Sequence, residues 1–320
     1  MQSSKKCSKC GKNSVYFQKS SGISLCNACF IAYFERKFQK TVSKYIPLHP
    51  TDVVCVALSG GKDSIALLYN LYLRCQKTNG SKIFAITVDE GISTNFKRNQ
   101  QAIVDFFNET SIDIELIQVS YKNFFGRTMD EIVKEMYLKQ MNINACTVCA
   151  SIRRRILNEV AKSNRATKIA IGHNLDDLAQ TFLMNILRND LLKIENIPPH
   201  GSTEISATYI PRIKPLFLHT ENEIQKYCIA KNLPFYSHTC EYAIEFPILR
   251  RKVKFFLDTL DERSYEFKYN LIKLHLQLNE KPIKSKSIVK SNLCSKCLYP
   301  TGLNRTVCTY CELKSSFGLD

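Results

Sequence analysis

No apolar run in the 320 residues approaches the length of a membrane span, and residues 1–20 are polar and basic. A transmembrane helix and a secretory signal are therefore excluded from the interpretation, and we expect a cytoplasmic protein with no membrane partner. A transit peptide would be rich in Arg and Ser, whereas this start already holds a Cys-Ser-Lys-Cys unit. Hydrophobic residues make up 44% of the chain, which is typical of a globular protein.

Acidic residues are in short supply. The 29 Asp and Glu face 45 Lys and Arg, which gives a formal net charge of +16. An excess of this size favours a polyanionic partner such as RNA or DNA. The excess of positive charge could also serve solubility, so charge alone supports a nucleic-acid partner only modestly.

The 14 cysteines come without a secretory signal, which argues against a disulfide scaffold. Eight of them form two sets of paired Cys-x2-Cys units, one near each end of the chain. Each set has the spacing of a zinc ribbon, in which four thiolates close a tetrahedral site. The sets are Cys7, Cys10, Cys26 and Cys29, and Cys294, Cys297, Cys308 and Cys311. Each site is interpreted first as a structural staple. RNA contact is an added role for the first site, which is surrounded by Lys5, Lys6, Lys9 and Lys12.

A fifth pair, Cys146 and Cys149, has no second pair nearby. It lies at the start of a predicted helix, where the macrodipole is expected to lower the thiol pKa. Cys240, which follows a predicted strand, is the best candidate to join this pair. Three others lie in apolar strand or helix patterns and are interpreted as small buried hydrophobes, namely Cys55, Cys75 and Cys228.

Continuous apolar strands alternate with helices from about residue 50 to residue 190. Unalternating strands separated by helices indicate a parallel sheet covered on both faces, hence an α/β fold. We predict three domains: an N-terminal zinc ribbon with a linking helix in residues 1–45, a catalytic domain in residues 46–285 and a C-terminal zinc ribbon in residues 286–320.

Polar residues follow three of the predicted strands, at Ser59–Ser64, Asp89–Ser93 and Gly172–Asp177. Ligands of such sheets bind beyond the carboxyl ends of the strands, so we expect the three segments to share one crevice. The first segment, Ser-Gly-Gly-Lys-Asp-Ser, is not a Walker A loop, because that motif needs Gly where this chain has Val56 and Ser or Thr where it has Asp63.

The physics of this turn is nevertheless that of an anion site. Gly60 and Gly61 let backbone N–H groups face a phosphate, and the following helix start adds partial positive charge. Lys62 supplies a full charge, Ser59 and Ser64 are candidate donors, and Asp63 suits either Mg²⁺ or a helix cap.

The turn resembles the PP-loop of ATP pyrophosphatases, which cleave ATP between the α and β phosphates. Together with Asp-Glu-Gly-Ile, Cys-Thr-Val-Cys followed by three arginines, Gly-His-Asn-Leu-Asp-Asp and the two ribbons, it resembles the PP-loop tRNA 2-thiolation enzymes over nearly the whole chain. The resemblance implies ATP and Mg²⁺ as cofactors and a core like that of adenine nucleotide α-hydrolases. It also implies two zinc ions and a 4Fe-4S cluster held by Cys146, Cys149 and Cys240. A persulfide on one of these cysteines is the alternative.

The implied reaction transfers AMP to the C2 oxygen of a tRNA uridine, after which sulfur displaces AMP. The resemblance favours the wobble uridine of Lys, Gln and Glu tRNAs, a ubiquitin-like thiocarboxylate as sulfur donor, and a homodimer or a heterodimer with a paralogous subunit. Lys62 and the turn amides are assigned to phosphate, Asp63 with Asp176 or Asp177 to Mg²⁺ or base positioning, and Asp89 with Glu90 to the adenosine or ribose.

Two further assignments stay open. His173, next to Gly172, either carries a proton or fixes its loop. Arg153 and Arg154 either meet phosphate or RNA, or belong to a solvated helix face. Three other functions are weighed. A 2-thiocytidine enzyme should lack both ribbons, and an adenylating ligase that attaches lysine to tRNA needs neither the ribbons nor the central cysteine pair. A non-catalytic zinc-ribbon RNA-binding partner should have lost the turn residues.

Overall fold

The structure is a computed structural model, and it describes most of the chain. The described residues are 6–18, 21–78, 80–93, 96–190, 194, 208–237, 240–242, 249–263, 266–280, 292–302 and 305–319.

The N-terminal module is a small hairpin joined to a long helix. Strands β1 (Tyr16–Gln18) and β2 (Ile23–Leu25) pair antiparallel, and α1 (Asn27–Tyr45) follows directly. Phe30, Phe34 and Phe38 recur every four residues along α1 and are fully buried. This stripe packs into the same hydrophobic cluster as the first part of the central sheet, so the module is attached to the core rather than separate from it.

The core is a five-stranded sheet of the order β5-β4-β3-β6-β7, with every neighbouring pair parallel. Its strands are β3 (Val53–Ala57), β4 (Lys82–Asp89), β5 (Leu116–Ser120), β6 (Lys168–Ala170) and β7 (Arg212–Ile213). The chain moves outward from β3 to β5 and then returns to β6 on the other side of β3. The switch point therefore lies between β3 and β6, where open α/β sheets bind their ligands.

Helices follow each of these strands. They are α2 (Lys62–Thr78), α3 (Phe96–Thr110), α4 (Tyr121–Phe125), α5 (Met129–Leu138), α6 (Ala145–Ser163), α7 (Leu175–Leu187) and α8 (Glu221–Ala230). Capping boxes begin α5 at Thr128, α7 at Asn174 and α8 at Thr220. In each box the cap side chain accepts from the third helical residue, which fixes where the helix starts.

Two helices and a second small module complete the described chain. Helices α9 (Leu249–Arg263) and α10 (Phe267–Glu280) cover α7. Strands β8 (Asn292–Leu293) and β9 (Pro300–Thr301) pair antiparallel before α11 (Thr309–Ser316). Leu313 and Phe317 at the end of the chain are buried beside α6. None of the helices that the structure describes combines the length and apolarity of a bilayer span.

The α/β prediction with a parallel sheet is confirmed, and the structure differs from the sequence interpretation in details. Strand β7 was not predicted, because two residues between Pro211 and Pro215 show no periodicity. The residues just before Cys240 form no strand as far as they are described, contrary to expectation. The three domain boundaries stay predictions, and the last of them falls within residues 281–291, which lie outside the described residues.

Candidate active site

The turn after β3 is held rigidly by its own side chains. Gly60 has φ of +78°, and a Cβ there would meet the Asn99 carbonyl oxygen at 2.7 Å, so only glycine fits. The Ser64 hydroxyl accepts from the Ser59 amide at 3.1 Å and donates to the Gly61 carbonyl at 2.9 Å. Ser64 is buried. It therefore shapes the turn, whereas Ser59 reaches the cavity described below.

Lys62 stands at the first position of α2, between two carboxylates. Its ammonium lies 3.0 Å from Asp63 Oδ2 and 3.1 Å from Glu221 Oε1. Desolvation lowers the pKa of Lys62, but the charges of Asp63 and Glu221 outweigh it and raise that pKa. Lys62 is thus a fixed full charge at the helix start. Lys254 holds the other oxygen of Glu221 at 2.6 Å.

The paired aspartates at the start of α7 have different surroundings. Asp176 is buried, and its two oxygens accept from Lys268 Nζ and from the Glu221 amide, each at 2.7 Å. Asp177 closes the capping box of α7 and lies 3.4 Å from Arg250 Nη1. Asn174 links this loop to the turn, since its amide donates to Asp63 Oδ1 at 3.0 Å.

These contacts separate the roles of the two aspartates. The Asp176 side chain is only 9% exposed, against 28% for Asp63 and 31% for Asp177, so Asp176 anchors the helix start while the other two stay accessible to a ligand. Desolvation raises the pKa of Asp63 and of Asp177, and the Asp177 charge adds to the effect on Asp63. Two neighbouring carboxylates with raised pKa values suit a divalent cation, which would relieve their repulsion.

His173 lies among positive charges. Desolvation and the charges of Lys214, Arg250 and Arg212 lower the pKa of His173 to about 4. Desolvation and Arg212 also lower the pKa of Lys214, to about 8. His173 is exposed, and the three positive charges near it favour an anion beside this loop.

A cavity of about 400 Å³ lies beyond the carboxyl ends of β3 and β4. Ser59 and Gly61 line it on the side of the turn, and Glu90 and Ile92 line it after β4. Its size is that of small-molecule sites. Of the predicted pair after β4, Glu90 faces the cavity, while Asp89 accepts from the Gly91 amide at 2.8 Å.

All three central cysteines line the same cavity. Cys146 and Cys149 come from the first five residues of α6, and Cys240 comes from a distant segment of the chain, next to Tyr242. The turn residues and the central cysteines were predicted as separate motifs, and the fold brings them to one space.

Two polar side chains contact the Cys149 sulfur. Arg153 Nη2 donates to it at 3.3 Å, and Arg153 is itself held by Glu90 at 2.8 Å. The buried Tyr121 hydroxyl lies 3.4 Å from the same sulfur and donates to the Cys149 carbonyl at 2.7 Å. Arg153 lines the cavity although its side chain is exposed, whereas the exposed Arg154 does not line it, and the phosphate or RNA role of both stays a prediction. The guanidinium donor favours a thiolate or a sulfur bound to metal.

The expected low pKa of the central thiols is wrong. Burial raises the pKa of Cys146 and of Cys149, and the charge of Arg153 opposes this only in part. Burial is the largest cause at both thiols, and the charge of Cys240 adds to it.

Each terminal set of four cysteines converges on one point. Within each set the sulfur atoms all lie within 4.8 Å of one another. This donor set fits a single tetrahedral ion such as Zn²⁺. Among the described residues, the central cysteines do not form a third group of this kind. Sulfurs that converge less tightly around a cavity suit a multi-iron cluster, which is broader than one ion.

The fold and this turn define an ATP-binding α/β protein of the PP-loop class. The model of the PP-loop domain matches residues 32–255. The model of the N-terminal LIM domain of 2-thiouridine synthetase TtuA matches residues 6–31. The chain belongs to the family of PP-loop tRNA 2-thiolation proteins.

Individual relatives agree along nearly the whole chain. A probable sulfurtransferase of Methanocaldococcus jannaschii is 31% identical over 306 residues, which cover 95% of this chain and 85% of that protein. Cytoplasmic tRNA 2-thiolation protein 1 of Drosophila willistoni is 32% identical over 311 residues, covering 93% and 88%. The solved structure of the U34-tRNA thiolase NcsA from Methanococcus maripaludis, with its [4Fe-4S] cluster, is 32% identical with a TM-score of 0.79, covering 99% of this chain and 97% of that one.

The sequence interpretation missed Glu221, Lys254, Lys214 and Tyr121. Glu221 had a signal, since Thr-Glu-Asn-Glu is a capping box that opens a helix after a strand. That strand is the unpredicted β7, so the signal was not connected to the crevice. Tyr121 carries no motif, and only packing brings it to Cys149.

Proposed function

We propose that this chain is the catalytic, AMP-forming enzyme that 2-thiolates the wobble uridine of tRNA. The single observation that carries the proposal is that Ser59 and Gly61 of the PP-loop share one cavity with Cys146, Cys149 and Cys240. An ATP site and a sulfur site within one cavity suit a reaction in which adenylation prepares the carbon that sulfur attacks. The intact turn and the intact cysteine set argue against a non-catalytic partner subunit.

The turn would hold the triphosphate. Backbone N–H groups at the start of α2 and the Lys62 charge neutralise the phosphates, and Asp63 with Asp177 would hold Mg²⁺. Lys62 must then give up its ion pair with Glu221 in order to contact phosphate. Lys254 stays paired with Glu221 and balances the charge of that carboxylate. Glu90 at the cavity wall is placed for the adenosine or ribose.

The uridine would enter between nucleotide and cysteines. Uridine O2 is a poor leaving group, so AMP transfer to it activates C2 for attack by sulfur, and AMP then departs. The three central cysteines would hold a 4Fe-4S cluster, which supplies an iron without a protein ligand for sulfur to bind. Arg153 balances charge at Cys149, and Tyr121 fixes the backbone of the same residue.

The remaining assignments follow the family. The two terminal sites would hold zinc, and the substrates would be Lys, Gln and Glu tRNAs. We further propose a ubiquitin-like thiocarboxylate as sulfur donor, a cytoplasmic location, and a homodimer or a heterodimer with a paralogous subunit.

The test combines purified protein, Mg-ATP, sulfide and unmodified tRNA accepting lysine, glutamine or glutamate, followed by digestion and mass spectrometry. We expect 2-thiouridine at the wobble position and none with the Lys62→Ala variant. Thiolation in another loop would change the position, sulfur in cytidine would indicate the 2-thiocytidine reaction, and ATP consumed on a different acceptor would reject thiolation.

A further inference from the structure

The C-terminal cysteine module and the central cysteine pair are joined by one helix. Cys146 and Cys149 lie in the first five residues of α6, and Arg155 lies six residues after Cys149 on the same helix. The Arg155 side chain is only 15% exposed. A buried guanidinium needs partners for its donors and its charge, and these partners identify what the residue does.

The partners of Arg155 come mainly from the C-terminal module. Its Nη1 donates to the sulfur of Cys297 at 3.4 Å. Its guanidinium carbon lies 4.9 Å from the ring centre of Tyr299 and 5.3 Å from that of Tyr310. Glu159, one turn further along α6, accepts from Nε at 3.2 Å. Arg155 therefore contacts one of the four clustered sulfurs and the two tyrosines that flank the cluster.

Packing on both sides of Arg155 reinforces this contact. Leu313 and Phe317 are buried in the same hydrophobic cluster as Val148 and Ile152 of α6, and Cys149 packs against that cluster. The carbonyls at the end of α11 also accept from the core, since Lys139 Nζ donates to Ser316 O at 2.7 Å and Arg127 Nη2 to Phe317 O at 3.3 Å.

The N-terminal module makes different contacts. Tyr16 donates to Glu223 Oε1 at 3.1 Å, and Lys37 of α1 lies 2.8 Å from Glu223 Oε2. Glu223 belongs to the capping box of α8. The N-terminal module thus contacts α8, on the ATP side, which makes it a matched control for the C-terminal one.

We propose that Arg155 is a positioning residue through which the metal-bound C-terminal module fixes the start of α6, and with it Cys146 and Cys149. Thiolates that bind metal keep negative charge at Cys297, and this charge holds the guanidinium. Loss of the C-terminal metal would release Arg155 and loosen the first turn of α6. The importance of that turn rests on the proposed function, but its order can be measured without iron, ATP or tRNA.

The experiment measures amide hydrogen exchange in residues 145–152 of the full chain, with zinc and iron analysis of the same samples. Arg155→Met is compared with Lys162→Met, which removes an exposed charge from the far end of α6. We expect exchange about tenfold faster for Arg155→Met with both zinc sites still filled, because a charge-assisted bond and its stacking are lost. Lys162→Met should match the wild type. Arg155→Lys keeps the positive charge but not the planar guanidinium. It is the second variant should Arg155→Met fail to fold, and its amides in residues 145–152 should also exchange faster than those of the wild type.

Metal loss provides the second comparison. Cys297→Ser should speed exchange in residues 145–152, whereas Cys10→Ser should not. Iron retained after anaerobic reconstitution should fall for Arg155→Met and Cys297→Ser but not for Cys10→Ser. Unchanged exchange in a folded Arg155 variant would overturn the inference. A wild-type chain that binds no iron would reject the cluster while the exchange comparison still decides the role of Arg155.

Discussion

At the residue scale, the start of α2 concentrates charge of both signs. The Lys62 ammonium is within 3.1 Å of two carboxylates, and Lys254 approaches the second of them. Such an arrangement keeps Lys62 protonated and oriented while no phosphate is bound. The same side chain is only 18% exposed, but its two carboxylate partners keep other contacts when it is removed, Glu221 with Lys254 and Asp63 with Asn174.

Lys62→Ala is expected to reduce AMP-forming ATP cleavage by about 100-fold or more, because it removes the full charge facing the phosphates. The melting temperature should stay within about 4 °C of the wild type. Lys77→Ala, at the exposed far end of the same helix, is the control and should retain activity. Products are measured by chromatography as AMP and pyrophosphate. ADP and free phosphate would instead indicate a kinase or an ordinary ATPase.

His219 gives a pH dependence of stability. It is fully buried between Phe34 and Phe38, at ring-centre distances of 4.5 and 6.1 Å. Burial and the Lys37 charge lower the pKa of His219 well below the ordinary 6.5. His219 therefore binds a proton in the unfolded chain at pH values where it stays neutral in the folded chain. The free energy of unfolding falls as the pH drops below about 6.5.

His219→Phe should remove this part of the acid sensitivity. At pH 5 the buried histidine costs up to about 2 kcal/mol of unfolding free energy relative to neutral pH. Urea unfolding at pH 7.5 and pH 5 gives the loss of unfolding free energy on acidification for the wild type and for the variant. Acid effects on the metal sites are common to both proteins and cancel when the two losses are compared. The exposed His49, replaced in the same way, is the control. An equal loss on acidification in wild type and His219→Phe would contradict the argument.

At the scale of elements, helix starts and strand ends decide the site. The first turn of α6 delivers Cys146 and Cys149, the start of α2 delivers Lys62 and Asp63, and the start of α7 delivers Asp177. Each start is placed by the preceding strand or cap, so short local signals fix the positions of reactive groups to within a turn.

The three central cysteines should act as a set. Anaerobic purification with iron and sulfide should give a brown protein, and Cys146→Ala, Cys149→Ala or Cys240→Ala should each lose the colour. Cys75→Ala, outside the cavity, should keep it. A colourless but active wild type would favour the persulfide, and loss of activity in only two of the three variants would remove Cys240 from the site.

The terminal modules should bind about two zinc ions per chain by metal analysis. Cys10→Ser and Cys308→Ser should lower the melting temperature more than they affect ATP binding, because their sulfurs lie in the terminal clusters and do not line the cavity. If neither variant loses metal, the zinc interpretation is wrong.

At the scale of the whole molecule, the charge of +16 and the crevice act together. Lys and Arg contacts to phosphate should dominate tRNA affinity, so binding should weaken steeply with salt. A single unpaired base drawn into the cavity would then give specificity, since C2 of a stacked uridine is inaccessible.

Arg154→Gln should weaken tRNA binding. It should also reduce the slope of log affinity against log salt concentration by about 1, which corresponds to the loss of one phosphate contact. Arg154 is exposed on α6 near the cavity wall, and Lys162→Gln at the other end of that helix is the control. Filter binding across a salt series measures both slopes. An unchanged slope for Arg154→Gln would indicate that Arg154 belongs to a solvated helix face and does not contact tRNA.

The sequence by itself determined the α/β class, the ATP-binding turn and the two terminal cysteine sets. These are local features: apolar runs define strands, glycines define the turn, and paired cysteines two residues apart already hold half of a metal site. The family resemblance, which joined these motifs, also fixed the reaction that we propose.

Only the tertiary structure decided which residues share the cavity. Glu90 rather than Asp89 faces it, Asp176 is committed to Lys268 while Asp177 stays near Asp63, and Cys240 meets a pair that lies more than ninety residues earlier. It also reversed the expected pKa of the central thiols. Such outcomes depend on burial and on charges from distant segments, which no local pattern contains.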